Sequence, residues 1–247
     1  MKLLDLTLTS PGENLACDEA LLDWCEGGAG EEVLRFWESC EHFVVVGYAD
    51  KVRTEVNIEV CKKDGIPIYR RCSGGGAVLQ GPGCLNYALV LRITDDGPLH
   101  NIASANQFIM NHNRAAIEAI FPGPESPGPG PQFAVRGHTD LCLGNLKFSG
   151  NSQRRRKSFL LFHGTFLLNL DLALVTEVLR TPTKQPPYRK HRTHANFLIN
   201  LNSPANEVKS ALCNAWDAVS PLKNPPLENS AVLARNKYDS PEWNQKF

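Results

Sequence analysis

Apolar and polar positions alternate in two registers along this chain. Residues 14 to 25, NLACDEALLDWC, bring Leu15, Ala16, Ala20, Leu21 and Trp24 together at helical spacing, with Asp18, Glu19 and Asp23 largely elsewhere, and so predict an amphipathic helix. EEVLRFWES and HFVVVGYAD then read as strands, the second an uninterrupted apolar run suited to a sheet centre. Val56 to Asp64 reads as a short helix closed by Gly65. IPIYRRCSGGGAVLQGPGCLNYALVLRIT predicts a strand, a glycine loop and a longer strand, and Ala103 to Ile120 a helix across the sheet. Phe121 to Pro131 is nearly all Pro and Gly, so it reads as a loop or tether. FAVRG, TDLCLGN, LKFSGNSQR and FLLFHGTFLLNL alternate as an antiparallel meander, with Gly144-Asn145 as a tight turn. Short helices at Asp171 to Arg180 and Asn206 to Val219 flank the irregular basic segment TPTKQPPYRKHRTH. The expected class is α/β, in the α+β sense.

Composition narrows the function. The 247 residues carry 26 basic and 26 acidic side chains, and such a balance argues against a dedicated nucleic-acid or membrane-surface binder, which gains affinity from basic excess. Apolar runs are of strand length, so no span of a bilayer is expected, and the N-terminus does not read as a signal peptide. An intracellular location follows, the cytoplasm or an organelle interior. The eight cysteines form no C-x-x-C pair, which disfavours structural zinc; each reads as a buried free thiol except Cys84, which follows a glycine loop and is a candidate for exposure.

Three segments could carry chemistry. In Arg70-Arg71-Cys72-Ser73-Gly74-Gly75-Gly76-Ala77, consecutive glycines let the backbone approach a ligand and aim amides at an anion while an arginine neutralises it. Alternation puts Arg71 and Ser73 on one face and Arg70 on the other, so one arginine is expected in the pocket. The bland reading is a glycine bulge with surface arginines. The loop matches neither the phosphate loop nor the dinucleotide fingerprint. In Asp140 with Leu146-Lys147-Phe148-Ser149-Gly150, alternation places Lys147 and Ser149 together, opposite the core; the lysine either meets a phosphate or carboxylate or lies on a solvated face, and Asp140 could hold a hard cation. His163, in Phe162-His163-Gly164-Thr165, reads on residue type as hydrogen-bonded packing. Arg154 to Lys157 reads as a solvated hairpin end that could also attract an acidic partner, and His191 and His194 as structural or surface groups.

In this order, RRCSGGGAV, then TDL with KFSG, then HGTFLLN, the segments resemble the lipoate-protein ligase and octanoyltransferase family. The likeness runs from NLACDEALL through VVVGYA to QPPYRKHRTHANFLINL and KYDSPEWN. It implies a central mixed, largely antiparallel sheet flanked by helices, as in biotin ligases, with residues 1–202 as the catalytic domain and 203–247 as a helical extension packed on it. It implies that lipoate or octanoate is activated with ATP and Mg²⁺ as an acyl adenylate and passed to a carrier lysine. The carriers would be lipoyl domains of 2-oxoacid dehydrogenase complexes or the glycine cleavage carrier protein. Lys147 would match the family lysine at the acyl carbonyl and phosphate, and Asp140 a nucleotide or metal contact. Arg71, Ser73, Gly74, Gly75, Gly76, Ala77, Ser149, Gly150, His163 and Gly164 would line the acyl and phosphate site.

The chain departs from the family pattern in three places. Gln80-Gly81-Pro82-Gly83-Cys84 stands where many ligases read H-D-x-G-N, Thr139 stands where many have asparagine, and only about 45 residues follow the core. The last point suggests a separate accessory polypeptide. The alternative is an octanoyltransferase fed by octanoyl-acyl carrier protein through a cysteine thioester; its cysteine would lie upstream of TDL, and Pro131 to Thr139 contains none. Cys84 or Cys142 would need another geometry. A non-catalytic carrier-binding assembly factor is a third reading, which the presence of Lys147 disfavours.

Overall fold

A computed structural model describes residues 1–121 and 132–247. The expected loop at Phe121 to Pro131 therefore lies, beyond Phe121, outside the described residues. The first strand, β1 (Lys2–Asp5), leads into helix α1 (Pro11–Trp24), where the Ser10 hydroxyl accepts from the Glu13 amide and Glu13 returns a bond to the Ser10 N–H. Strands β2 (Val33–Trp37) and β3 (Phe43–Val46), short helices α2 (Val52–Glu55) and α3 (Ile58–Lys63), and strands β4 (Ile68–Arg70), β5 (Val78–Gln80) and β6 (Cys84–Arg92) follow. Helix α4 (Ile102–Glu118) precedes the meander β7 (Phe133–Arg136), β8 (Asp140–Leu143), β9 (Leu146–Arg155) and β10 (Phe159–Leu167). Helices α5 (Leu172–Val178) and α6 (Ala205–Ala215), strand β11 (Ser220–Pro221) and helices α7 (Leu227–Leu233) and α8 (Pro241–Asn244) complete the order.

Among the described residues the large sheet runs β11-β1-β2-β6-β10-β9-β8-β7, and a small sheet runs β4-β3-β5. Its pairs are antiparallel from β2 through to β7 and parallel at the β1 edge, so the sheet is mixed and largely antiparallel, as expected. The apolar run Phe43–Val46 does sit at a sheet centre, that of the small sheet. Strand alternation splits the core. Leu34, Phe36, Leu89, Leu160, Phe162 and Phe166 pack on one face against α4 and α6, while Val33, Val90, Phe159 and Leu161 face α1 on the other. No helix among the described residues is long and apolar enough to cross a membrane.

Two expectations change here. Asp18 and Glu19 do not lie on a solvated side of α1; both are buried, at 2% and 4% exposure. The chain from α7 onward covers the outer side of α1, so Glu19 receives Lys237 Nζ at 2.7 Å and the Tyr238 hydroxyl at 2.7 Å, while Asp18 points to the sheet and pairs with Arg35. Cys84 is buried rather than exposed, because it opens β6 opposite Leu167 and packs in the core beneath the small sheet.

Candidate active site

The α1-facing side of the large sheet carries two lateral rows of side chains, fixed by strand register. Arg35, Ala88, His163 and Ser152 are successive partners across β2, β6, β10 and β9. Two residues along, Trp37, Asn86, Thr165, Gly150 and Asp140 form the next row, reaching β8. A fully apolar strand face would satisfy the core better; the polar residues in these rows instead bond to one another and to the glycine loop. Thr165 Oγ1 donates to Asn86 Oδ1 at 2.6 Å and accepts from Gln80 Nε2 at 2.8 Å.

The glycine loop sits over these rows. Arg70 and Arg71 do part company as alternation predicts, though neither faces an open pocket. Arg70, fully buried, donates to the carbonyls of Gly47, Tyr48 and Asp50, and to Trp243 and Asn244 of the C-terminal segment. Arg71 folds back on its own loop, with Nη2 2.6 Å from the Gly74 carbonyl and 3.0 Å from that of Gly76. Burial draws its pKa down to about 10, which still leaves it cationic at neutral pH. Arg71 thus holds the loop carbonyls at the place where it is expected to meet an anion. With those carbonyls engaged, the N–H groups from Ser73 to Ala77 have no main-chain partner among the described residues. Gly74, Gly75 and Gly76 are exposed, with open space where a side chain would stand at Gly74 and Gly76. Amides left free in this way can receive an anion. Gly47 lets it close, since a Cβ there would overlap the Gly75 carbonyl. We expect Gly47→Ala to push the loop off its seat and lower turnover about 100-fold, measured as steady-state rate beside a thermal melt; an unchanged rate would show that the loop position is not critical.

At the far end of the second row, Lys147 Nζ lies 2.7 Å from Asp140 Oδ1, and the Tyr188 hydroxyl donates to Asp140 Oδ2 at 2.7 Å. Burial, and then the adjacent Asp140 carboxylate, push the Tyr188 pKa up, so the phenol stays a neutral donor. Gly150 leaves room for the lysine, as a Cβ there would stand 2.7 Å from Nζ. Ser149 departs from expectation. A bulge between Leu141 and Cys142 puts Phe148 as an extra residue in β9, so Cys142 pairs with Lys147 while Leu141 pairs with Ser149. Ser149 is fully buried, bonded to Asn151 Nδ2 at 3.3 Å, and does not share the lysine's face. Gly164 serves packing, since a Cβ on it would overlap the Asn151 side chain. Thr139 ties β8 to β9, donating to the Asn151 carbonyl at 2.5 Å and accepting from Asn151 Nδ2 at 2.7 Å.

His163 joins the site through Ser73, whose Oγ lies 2.5 Å from His163 Nε2 and 2.7 Å from Ser152 Oγ. Sequence reasoning missed Asp18, Arg35, Ser152 and Tyr188. The signal for Arg35 was available: a cation in the middle of an apolar strand requires a buried partner. A protein-held Mg²⁺ does not fit. Both oxygens of Asp140 are engaged, and no group of three His, Cys, Asp or Glu side chains is gathered among the described residues.

Within Arg154 to Lys157 the three arginines are engaged, while Lys157 is exposed. Arg155 Nη2 donates to the carbonyls of Leu99 and His100, Arg156 pairs with Asp23 at 2.8 Å, and Arg154 lies over the Tyr48 ring. His194 is structural, its Nε2 3.0 Å from the Arg180 carbonyl.

The model of the lipoyl protein ligase A/B catalytic domain family matches residues 10–216. The chain belongs to this family. Octanoyltransferase LipM of Geobacillus kaustophilus is 28% identical, over 99% of this chain and 98% of its own. Lipoate-protein ligase A subunit 1 of Thermoplasma acidophilum is also 28% identical, over 97% of this chain and 95% of its own. A crystal structure of lipoate-protein ligase A bound with ATP superposes with a TM-score of 0.77 at 26% identity, covering 99% of this chain and 98% of that one. The family's fold therefore applies here, and both octanoyltransferases and ligases stand among the relatives.

Proposed function

We propose that the chain joins a medium-chain acyl group, lipoyl or octanoyl, to a lysine of a lipoyl carrier domain, and that the acyl group reaches the site as an acyl adenylate made from ATP. The carriers are lipoyl domains of 2-oxoacid dehydrogenase complexes or the glycine cleavage carrier protein. One observation carries the reading: a lysine fixed by Asp140 and Tyr188 faces the same sheet side as a loop of unpartnered amides. Transfer from an adenylate develops negative charge on the carbonyl oxygen and on the departing phosphate. Amides of the glycine loop can meet the first and the Lys147 ammonium the second, while Asp140 holds that ammonium in place. Mg²⁺ would come with the triphosphate. The ligase relatives, one of them solved with ATP bound, support the use of ATP.

A second reading has the stronger support from the curated relatives, most of which are octanoyltransferases. There the donor is an octanoyl thioester and ATP is idle. A cysteine carrier of the acyl group is poorly supported. Burial pushes the Cys84 thiol up to about 12 and likewise raises Cys142, and among the described residues neither sulfur has an imidazole partner. Cys84→Ser should retain most of the acylation rate; an octanoyl thioester trapped on Cys84 would favour the second reading. Intact mass spectrometry of a lipoyl domain incubated with the protein, ATP, Mg²⁺ and lipoate or octanoate, beside octanoyl-acyl carrier protein without ATP, tests both. A mass gain that needs ATP supports the ligase, a gain from the thioester alone supports the transferase, and no gain from any donor overturns carrier acylation.

A further inference from the structure

The adenylate route leaves one buried group of side chains without a task. Ser73 Oγ lies 2.5 Å from His163 Nε2, and His163 Nδ1 lies 3.4 Å from Asp18 Oδ2. Donation of the Nδ1 proton to the carboxylate leaves Nε2 as the acceptor of the Ser73 hydroxyl proton. Asp18 is held in turn by Arg35, whose Nη1 is 2.5 Å from Oδ1. The members come from α1, the loop after β4, and β10, so local sequence does not bring them together. Packing alone would be satisfied by one hydrogen bond to the imidazole. Here both ring nitrogens are engaged, in the order hydroxyl, imidazole, carboxylate that activates a serine. The residues that follow Ser73 are the exposed glycines, whose amides, with that of Ala77, have no main-chain partner among the described residues. Nucleophile, base, orienting acid and oxyanion donors thus meet at one loop. The neighbouring Cys72 does not compete, because burial pushes its thiol up to about 12.

The geometry points to Ser73 as an acyl-accepting nucleophile for activated medium-chain acyl esters and thioesters, with His163 as its base and Asp18 as a positioning residue. Ser73 Oγ bonds to the acyl carbonyl carbon as the bond from that carbon to the leaving sulfur or oxygen breaks. The hydroxyl proton passes to His163 Nε2 and from there to the leaving group, which departs as a neutral thiol or alcohol. An amine or water then attacks the acyl-serine ester, the carbon–Oγ bond breaks, and His163 carries the attacker's proton back to Ser73. No oxidant or reductant is involved. Ser73 is itself buried, and the glycines that follow it are the exposed part of the loop. The inference rests on the proposed function only for the medium-chain acyl class.

The test uses the full chain without ATP or carrier domain. It is incubated with p-nitrophenyl octanoate or an octyl fluorophosphonate and read by intact mass and peptide mapping. The expected result is one adduct per chain, located on Ser73 and absent in Ser73→Ala. In His163→Gln, labelling should slow at least about 100-fold and lose its rise with pH. Asp18→Asn should keep the adduct but shift that pH profile, which a merely structural role would not do. An adduct on Lys147 or a cysteine, no adduct, or the same labelling rate in His163→Gln overturns the inference. If His163→Gln does not fold, mapping of wild type against Ser73→Ala still decides. Carrier acylation with no serine adduct sinks only this inference, and an adduct without carrier acylation from any donor sinks only the proposed function.

Discussion

Replacing Lys147 with alanine is expected to lower carrier acylation by about 100-fold or more while the protein still folds. The backbone at this position is secured independently of the side chain: the Lys147 N–H donates to the Phe197 carbonyl at 2.9 Å and its carbonyl accepts from Ile199 at 3.0 Å. The side chain is 22% exposed and pairs with an Asp140 that keeps Tyr188 as a donor, so its removal should cost no more than about 1 kcal/mol of stability. Its charge matters far more to the reaction. Loss of one fixed cation beside a developing oxyanion or leaving phosphate costs about 3 kcal/mol of barrier. Lys147→Arg should not restore the rate, because the space beside Gly150 is shaped around a single nitrogen 2.7 Å from its Cβ position. Time courses of carrier mass, with circular dichroism melts of each variant, measure both effects. Full activity in Lys147→Ala would end the assignment of this site.

The sequence made the meander legible because β7 to β10 are consecutive antiparallel neighbours, and alternation plus the Gly144-Asn145 turn suffice for such a sheet. The parallel edge was not legible: β1 has four residues and β11 two, too few for a period to emerge, and their pairing joins positions more than 200 residues apart. Within the site, strand alternation set Lys147 opposite the core, but its ion pair with Asp140 was not read from the sequence, and Ser149 was misplaced because one inserted residue at Phe148 reverses the face and leaves no mark in composition. Tyr188 lies in an irregular segment, where periodicity carries no information. Asp18 was read as solvated because an acid on an amphipathic helix normally is. Asp18 instead faces the sheet, where Arg35 receives it, and the C-terminal cover, whose Trp243 and Asn244 also lock Arg70, buries Glu19 on the other side of α1.

Arg35→Ala is expected to destabilise the fold by about 3–5 kcal/mol, the largest stability effect at the site. The guanidinium is fully buried and donates to the carbonyls of Leu6 and Asn14, to Asn14 Oδ1 and to Asp18. It thereby joins β2 to α1 and to the chain entering α1. Alanine removes these donors and leaves the Asp18 carboxylate, 2% exposed, with only the His163 ring at 3.4 Å among the described residues. An unpaired buried carboxylate must either protonate or pull water into the core, and both disfavour the folded state. At roughly 2–4 °C per kcal/mol for a chain of this size, the midpoint should fall by roughly 10 °C. The double variant Asp18→Leu with Arg35→Met should lose less than the sum of the single changes, since it removes both charges and fills the space with apolar atoms. Stability recovered without labelling of Ser73 in that double variant would show that the pair serves the Ser73–His163 end of the site; equal melting of Arg35→Ala and wild type would show that water already solvates the pair.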